Sequence, residues 1–479
     1  MASLTRLIAR NTAIHTTGKL LNLPIVLIVV AVMTRALGPE GFGGYSTIIA
    51  FLQFFGITAN FGLLLTANRL LGETATETAR SRLMSNLFTL RFFSSLIFLS
   101  LAPLLALLFP YPAAVKQGMF ITALSFLAIS LAETLVPVFQ RELRMGYVAA
   151  AELAARFTLL AGVALTAYFH AGLLWFLAAI VAGSAMQFLM MRIFTGKFIE
   201  LHLAFDWTVW RKIIGISWPI GLSILFNLIY LKADTIILSA LRTQTEVGFY
   251  GAAYRVLDQL TGFATMFIGL LMVPLTAAWV ARDQTRFRRI YQRAFDAYAV
   301  VAWPLLVGAW LIGERLMIFV AGSAFAASGK ILAILMIGMT FVFFSTLFGH
   351  VVVVVDKQRP MIWGYVITAV AGFSAYALTI PRFGIWGAAW STVGAEALIM
   401  ILTAAMVWRA TRAPLELSIF SKGLLASIIL GLFLYFTRVF PLAIPLFGGA
   451  LIYFAALYAF GGIKKELIRD IVSLRNSPS

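Results

Sequence analysis

The sequence contains no cysteine and little charge, and both absences narrow what the protein can be. Without cysteine the chain forms no disulfide, no thiolate metal site and no cysteine nucleophile. Charged residues make up 12% of its 479 residues, whereas soluble domains hold about a quarter. Hydrophobic residues make up 61%. These proportions indicate a protein that crosses a membrane several times.

Motifs for nucleotide use and for covalent catalysis are also missing. None of the Gly-Lys pairs, at Lys19, Lys197 and Lys330, is followed by Ser or Thr, so the chain has no Walker A phosphate loop. The sequence has no Gly-x-Ser-x-Gly elbow and no His/Glu metal motif. We therefore expect neither an enzyme nor a protein that drives transport with ATP. No cofactor or metal is expected, apart from H⁺ or Na⁺ as a coupling ion.

Apolar runs long enough to cross a bilayer, roughly 20 residues each, occur about 14 times. Most Lys and Arg residues fall in alternate connections, for example Arg286, Arg288 and Arg289. Cytoplasmic loops carry such an excess, so both termini are predicted to be cytoplasmic and the number of spans to be even. The same excess accounts for the net charge of +18, and no nucleic acid partner is expected. The predicted fold is an all-α polytopic membrane protein.

Two stretches of the chain repeat each other and divide it into two pseudo-symmetric lobes. Both contain Gly-x-Tyr, at Gly43–Tyr45 and at Gly248–Tyr250. When the stretches are aligned there, Gln53 falls on Asp258 and Asn60 on Thr265. The predicted domains are an N-lobe of helices 1–6 (1–194), an interfacial cytoplasmic linker (195–213), a C-lobe of helices 7–12 (214–410), and two additional helices with a cytoplasmic tail (411–479).

Several predicted spans carry polar or charged side chains, which are costly inside a membrane. A charge there costs about 2.5–3.5 kcal/mol or more, so such residues face protein or a water-filled cavity. Central sites between two lobes are typical of transporters. The candidates for lining such a cavity are Lys19, Arg255, Gln53, Asn60 and Asn227, and the candidates for binding a coupling ion are Asp234 and Asp258.

Each candidate also has a purely structural interpretation. Polar stripes often join helices by hydrogen bonds, which applies to Gln53 and Asn60. Lys19 can extend its amine to the membrane surface. Asp258 can neutralise Arg255 at a spacing of three residues, and Asp234 can form an ion pair near Lys232. The positive charge of Lys19 and Arg255 indicates the kind of substrate. Lys and Arg suit an anion, and phosphate is the anion they commonly hold.

Three strings of sequence resemble the polysaccharide-transport flippases of the Wzx type. They are ALGPEGFGGYSTI (36–48), ADTIILSALRTQTEVGFYGAAYRVLDQL (233–260) and FGIWGAAWSTVGAEAL (383–398). The resemblance implies the fold of the multidrug/oligosaccharidyl-lipid/polysaccharide exporter superfamily, in which two lobes alternate access to a central cavity. The superfamily also contains lipid II flippases. Ala253-x-Arg255 is similar to a cavity arginine position of theirs, and Lys19 lies where those proteins also place cations.

Taken together, these features predict a flippase in the bacterial inner membrane. It would translocate a lipid-linked oligosaccharide, carried on undecaprenyl diphosphate, for exopolysaccharide, capsule or O-antigen synthesis. A polysaccharide polymerase and a chain-length regulator are the expected partners. Two alternatives remain open from the sequence. One is an exporter of drugs or other small molecules with the same fold, and the other is a membrane polymerase or ligase that acts on lipid-linked sugars.

Overall fold

The structure is a computed structural model of the chain. It describes the backbone of residues 2–74 and 76–462, and the side chains of residues 24–462 except 65, 68, 69, 73, 75, 219, 220 and 222–231. The regular structure in this part is helical, without a strand. The α-helices are α1 (Ala2–Asn60), α2 (Leu63–Glu73), α3 (Glu77–Ala106), α4 (Ala113–Arg141), α5 (Met145–Tyr168), α6 (Leu173–Thr195), α7 (Trp207–Leu241), α8 (Gln244–Val280), α9 (Gln284–Ala321), α10 (Ala326–Val354), α11 (Gln358–Thr411), α12 (Ser418–Thr437) and α13 (Gly449–Ala459).

Two of these helices bend sharply at one glycine each. Within α1, Gly38 has φ 65° and ψ −179°, and within α11, Gly384 has φ 56° and ψ −132°. These backbone conformations are essentially restricted to glycine, because a Cβ atom would clash with the neighbouring peptide groups. Each helix therefore supplies two spans that meet at one residue, with no loop between them.

The number of spans agrees with the sequence. Ten helices in the described part of the chain are long and apolar enough to cross a membrane. Two of them, α1 and α11, are divided at their glycines, and α7 and the shorter apolar segment Ile444–Ala459 add one span each. The described residues thus form 14 spans, and the prediction of an all-α membrane protein with about 14 helices is confirmed.

Helices suit these residues because lipid offers no partner for a backbone N–H or C=O group, and a helix satisfies both internally. Many apolar side chains also point away from the protein. Leu108, Val273 and Phe447 are 81%, 77% and 78% exposed, respectively. In water such exposure would be unfavourable, but in a membrane these side chains contact acyl chains. The protein is a multi-pass membrane protein.

The chain divides into two compact units. Unit 1 comprises Met1–Gly251, Val320–Gly322 and Phe373–Ile385, and unit 2 comprises Ala252–Phe319, Ser323–Gly372 and Trp386–Ser479. In unit 1, α4 packs against α3 and α6, and α5 packs against α1 and α6. In unit 2, α12 packs against α13. Unit 1 includes residues of both predicted lobes, and the predicted domain boundaries stay a prediction.

The segment before α7 is fastened to α3. Three of its backbone N–H groups donate to side chains of that helix: Asp206 to Asn86 (2.8 Å), Ala204 to Thr89 (2.9 Å) and His202 to Ser85 (3.3 Å). The last residues of the predicted linker, from Asp206 onwards, form the N-cap and the first turns of α7. Because these bonds repeat along two turns of α3, they fix the start of α7 against that helix.

Asp206 gives this junction a dependence on pH. The Thr208 hydroxyl, and then Arg82, donate to its carboxylate and hold its pKa at about 2. Because that pKa lies below the unfolded value of about 3.9, the stabilisation is present above about pH 4 and is lost as the pH falls towards 2. We expect Asp206→Asn to reduce the fall in melting temperature over this pH range, by a small amount because the side chain is 22% exposed and its partner Arg82 is 67% exposed.

The measurement is thermal unfolding of the purified protein at a series of pH values. Glu40→Gln, which replaces an exposed carboxylate elsewhere, is the matched control. An unchanged slope in Asp206→Asn would show that this carboxylate does not contribute.

Candidate functional site

Arg255 and Asp258 place two charges inside α8, in the part of this helix that belongs to unit 2. Arg255 Nη1 lies 3.7 Å from Asp258 Oδ2, and their side chains are 26% and 35% exposed. The spacing of three residues brings them together on one face, as the sequence indicates. The separation exceeds the 2.7–2.9 Å of a strong charged hydrogen bond. The pair therefore offsets part of the cost of burying each charge, while both side chains stay accessible.

Asp234 is fully buried in α7 and is held by hydrogen bonds. The Tyr250 hydroxyl donates to Oδ2 at 2.6 Å, and the backbone N–H and the hydroxyl of Thr235 donate to Oδ1 at 2.6 and 3.2 Å. Lys232 also acts electrostatically on this carboxylate. Asp234 thus joins α7 to α8, and a coupling ion would compete with Tyr250 for it.

Gln53 and Asn60 lie two turns apart on α1, so they share one face of the helix. Both are half-buried. Asn60 Oδ1 accepts a hydrogen bond from the backbone N–H of Leu64 at 3.4 Å, across the break at Gly62 where α1 gives way to α2. Asn60 thus has one structural bond, and the role of both residues in a cavity stays a prediction.

Two further candidates, Lys19 and Asn227, have side chains outside the described residues. Lys19 belongs to α1 and Asn227 to α7.

The sequence analysis missed a buried arginine. Arg91, in the middle of α3, is 3% exposed, and its Nη2 lies 4.0 Å from Oε2 of Glu133 on α4. Its Nη1 is buried without a hydrogen-bond partner among the described residues. The signal in the sequence is the single arginine in the apolar run FTLRFFSS, which is as unusual for a span as Arg255 is.

The two Gly-x-Tyr stretches contact each other in unit 1. A Cβ atom added to Gly43 would lie 1.7 Å from the carbonyl oxygen of Gln244, and one added to Gly248 would lie 1.9 Å from that of Pro39. Thr47 Oγ1 also donates to Gln244 Oε1 at 2.8 Å. We call this the glycine contact. It holds the turn between spans 1 and 2 against the start of α8, and only glycine leaves room for the two backbones.

The family described as polysaccharide biosynthesis protein matches residues 8–279, which is more than half of the chain. The chain belongs to this family. The three strings are interpreted as resembling polysaccharide-transport flippases of the Wzx type, and this recognition is confirmed. No curated protein matches the chain.

Solved structures place this member of the family in the fold of the MOP superfamily. Lipid II flippase MurJ, in an inward closed conformation, is similar with a TM-score of 0.77 and 14% identity, covering 96% of this chain and 99% of that one. An inward-facing multidrug resistance transporter of the MATE family gives a TM-score of 0.64 and 13% identity, covering 81% and 94%. A MOP superfamily transporter from Pyrococcus furiosus gives 0.58 and 10%, covering 85% and 96%. The fold is therefore that of a transporter.

Proposed function

We propose that this protein is a flippase for an oligosaccharide linked to a polyprenyl diphosphate. It would carry this lipid from the cytoplasmic to the outer leaflet for exopolysaccharide, capsule or O-antigen synthesis. The observation that carries the proposal is Arg255, an accessible guanidinium within a membrane-spanning helix, in a protein of the polysaccharide biosynthesis family. A guanidinium matches a phosphate with two parallel N–H donors.

In this mechanism the lobes alternate access to a central site without any covalent step. Lys19 and Arg255 hold the diphosphate, and Gln53, Asn60 and Asn227 offer hydrogen bonds to sugar hydroxyls. Phosphate competes with Asp258 for Arg255, because the two groups share its donors. Substrate binding would then weaken the attraction between Arg255 and Asp258.

The coupling ion in the proposal is H⁺ or Na⁺, bound at Asp258 or Asp234. The two sites differ in what binding must displace. At Asp258 it weakens the ion pair with Arg255, whose atoms lie 3.7 Å apart, and at Asp234 it competes with the 2.6 Å hydrogen bond from Tyr250. Binding at Asp234 would therefore loosen the connection between α7 and α8.

The proposed location is the bacterial inner membrane, with both termini in the cytoplasm. A polysaccharide polymerase and a chain-length regulator would act on the product at the outer face. The basic connections that carry Arg286, Arg288 and Arg289 support this orientation.

The test is the sidedness of the lipid-linked oligosaccharide in cells that lack the protein. We expect the oligosaccharide to accumulate and to stay inaccessible to a sugar-specific lectin added outside spheroplasts. Complementation with the wild-type chain should restore lectin binding. Normal lectin binding in the deletion strain would show that another protein performs the translocation.

The likeness to multidrug resistance transporters favours a second candidate, an exporter of drugs or other small molecules. Such an exporter would confer resistance that depends on efflux, and its loss would leave surface polysaccharide intact. A polymerase or ligase would instead leave the lipid-linked sugar translocated but unjoined when deleted. The lectin assay, combined with drug sensitivity, distinguishes all three.

A further inference from the structure

A basic cleft opens in unit 1 where the end of α2 and the start of α3 face the start of α7. Its volume is about 660 Å³, within the range of small-molecule sites. We call it the α3–α7 cleft. Its lining includes two cations and three hydroxyls, namely Arg82, Lys212, Thr74, Thr78 and Thr208, and the remaining lining residues are apolar. No carboxylate is among these lining residues. The Thr74 and Thr208 hydroxyls already donate to Leu70 O and to Asp206, so the two cations and the Thr78 hydroxyl are what suit this cleft to an anion.

The walls of this cleft are fixed in place. The segment before α7 is bonded to Ser85, Asn86 and Thr89 of α3, as described above. Arg82 forms an ion pair with Asp206, the residue that caps α7. This pair orients the guanidinium at the edge of the cleft, where its side chain is 67% exposed. A ligand would meet a prearranged site, which lowers the entropy cost of binding.

Exposed aromatic side chains occur in the segment before α7 and in its first turns. Phe205, Trp207 and Trp218 are 69%, 61% and 53% exposed. Tryptophan collects at the boundary between acyl chains and water, where its ring is in lipid and its N–H group is near the headgroups. Lys212 lies between these aromatic residues in the sequence and is itself exposed. This mixture of exposed tryptophan and lysine is typical of the depth of lipid phosphates.

We infer that the α3–α7 cleft binds the phosphate of a lipid headgroup. Lys212 and the outer N–H groups of Arg82 attract the phosphate, and the Thr78 hydroxyl donates to one of its oxygens, while the Thr208 hydroxyl stays bonded to Asp206. Two lipids carry this chemistry, an anionic phospholipid of the bilayer and a polyprenyl diphosphate that waits for translocation. The second source rests on the proposed function, and the first does not.

The test measures the affinity of the purified full chain, in detergent micelles, for phosphatidylglycerol. Native mass spectrometry detects the bound lipid. We expect saturable binding, and we expect Lys212→Glu to weaken it by at least about 10-fold, because the attraction becomes a repulsion. Lys212→Arg should stay within about 2-fold of the wild type, since it keeps the charge. Arg211→Glu is the matched control, because Arg211 is exposed one residue away and does not line the cleft.

Farnesyl diphosphate then separates the two sources. If it displaces phosphatidylglycerol from the wild type but does not bind Lys212→Glu, the cleft receives the diphosphate of the substrate. If it fails to displace, the cleft belongs to bilayer phospholipid. Equal weakening by Lys212→Glu and Arg211→Glu, or no saturable binding of either probe, overturns the inference. Transport by Arg255→Ala tests the proposed flippase function separately. The lipid-binding inference can therefore fail without affecting the proposed function, and the reverse also holds.

Discussion

Arg255→Ala is expected to abolish translocation of the lipid-linked oligosaccharide while the protein still inserts in the membrane. A hydrogen bond to a charged group contributes about 1.5–3 kcal/mol, so even one lost bond to the diphosphate would reduce transport by about 10- to 150-fold. The side chain is 26% exposed, and its removal leaves no large core cavity. The measurement is lectin binding to spheroplasts that express the variant at the wild-type level.

Two further variants separate substrate binding from simple neutralisation of Asp258. If Arg255 exists only to balance that carboxylate, the double variant Arg255→Ala/Asp258→Ala should recover transport. If Arg255 binds the diphosphate, the double variant stays inactive and Arg255→Lys recovers part of the activity. Arg289→Ala removes an exposed arginine at the start of α9 and serves as the control. Full activity of Arg255→Ala would rule out its role in the site.

Gly43→Ala is expected to open the glycine contact. The added Cβ atom would lie 1.7 Å from the carbonyl oxygen of Gln244, so the two backbones must separate. Overpacking costs about 1–3 kcal/mol, which raises the population of the open form by about 5- to 150-fold. Weakening of α1 cannot explain the effect, because alanine favours a helix more than glycine does. Transport should fall if closure of this contact is a required step.

Opening can be measured with a single introduced cysteine, because the chain has none of its own. Ser46 is 6% exposed, and its hydroxyl makes no hydrogen bond among the described residues, so Ser46→Cys is a mild reporter. A membrane-impermeant maleimide should label it faster when Gly43→Ala is present. Gly262→Ala is the matched control, since a Cβ atom there meets nothing within 4 Å. Equal labelling in both variants would show that the contact does not seal this region.

Hydropathy alone predicts the spans well, because membrane helices need long apolar runs and little else. It cannot predict that two pairs of spans would join without a loop, since that depends on the backbone angles of Gly38 and Gly384. The repeat of Gly-x-Tyr was visible in the sequence. The contact between Gly43 and Gly248 was not, because similarity between two stretches does not show that they touch.

For the charged residues too, the sequence predicts pairs within one helix but not pairs between helices. The pairing of Arg255 with Asp258 is predictable from a spacing of three residues on one helix. The pairing of Arg91 with Glu133 joins two helices, and no rule of local spacing connects residues so far apart in the sequence. In the sequence, Glu133 is a single carboxylate within an apolar run. Which charges meet across helices depends on tertiary packing.

The bend at Gly38 has a mechanical consequence for transport. Spans 1 and 2 are joined through one residue, so the connection has no slack in which a movement of one span could be absorbed. A tilt of the first span must either turn that single hinge or be transmitted as torque to the second span and to the glycine contact five residues further on. The turn at Gly38 therefore couples the orientations of the two spans more directly than a flexible loop would.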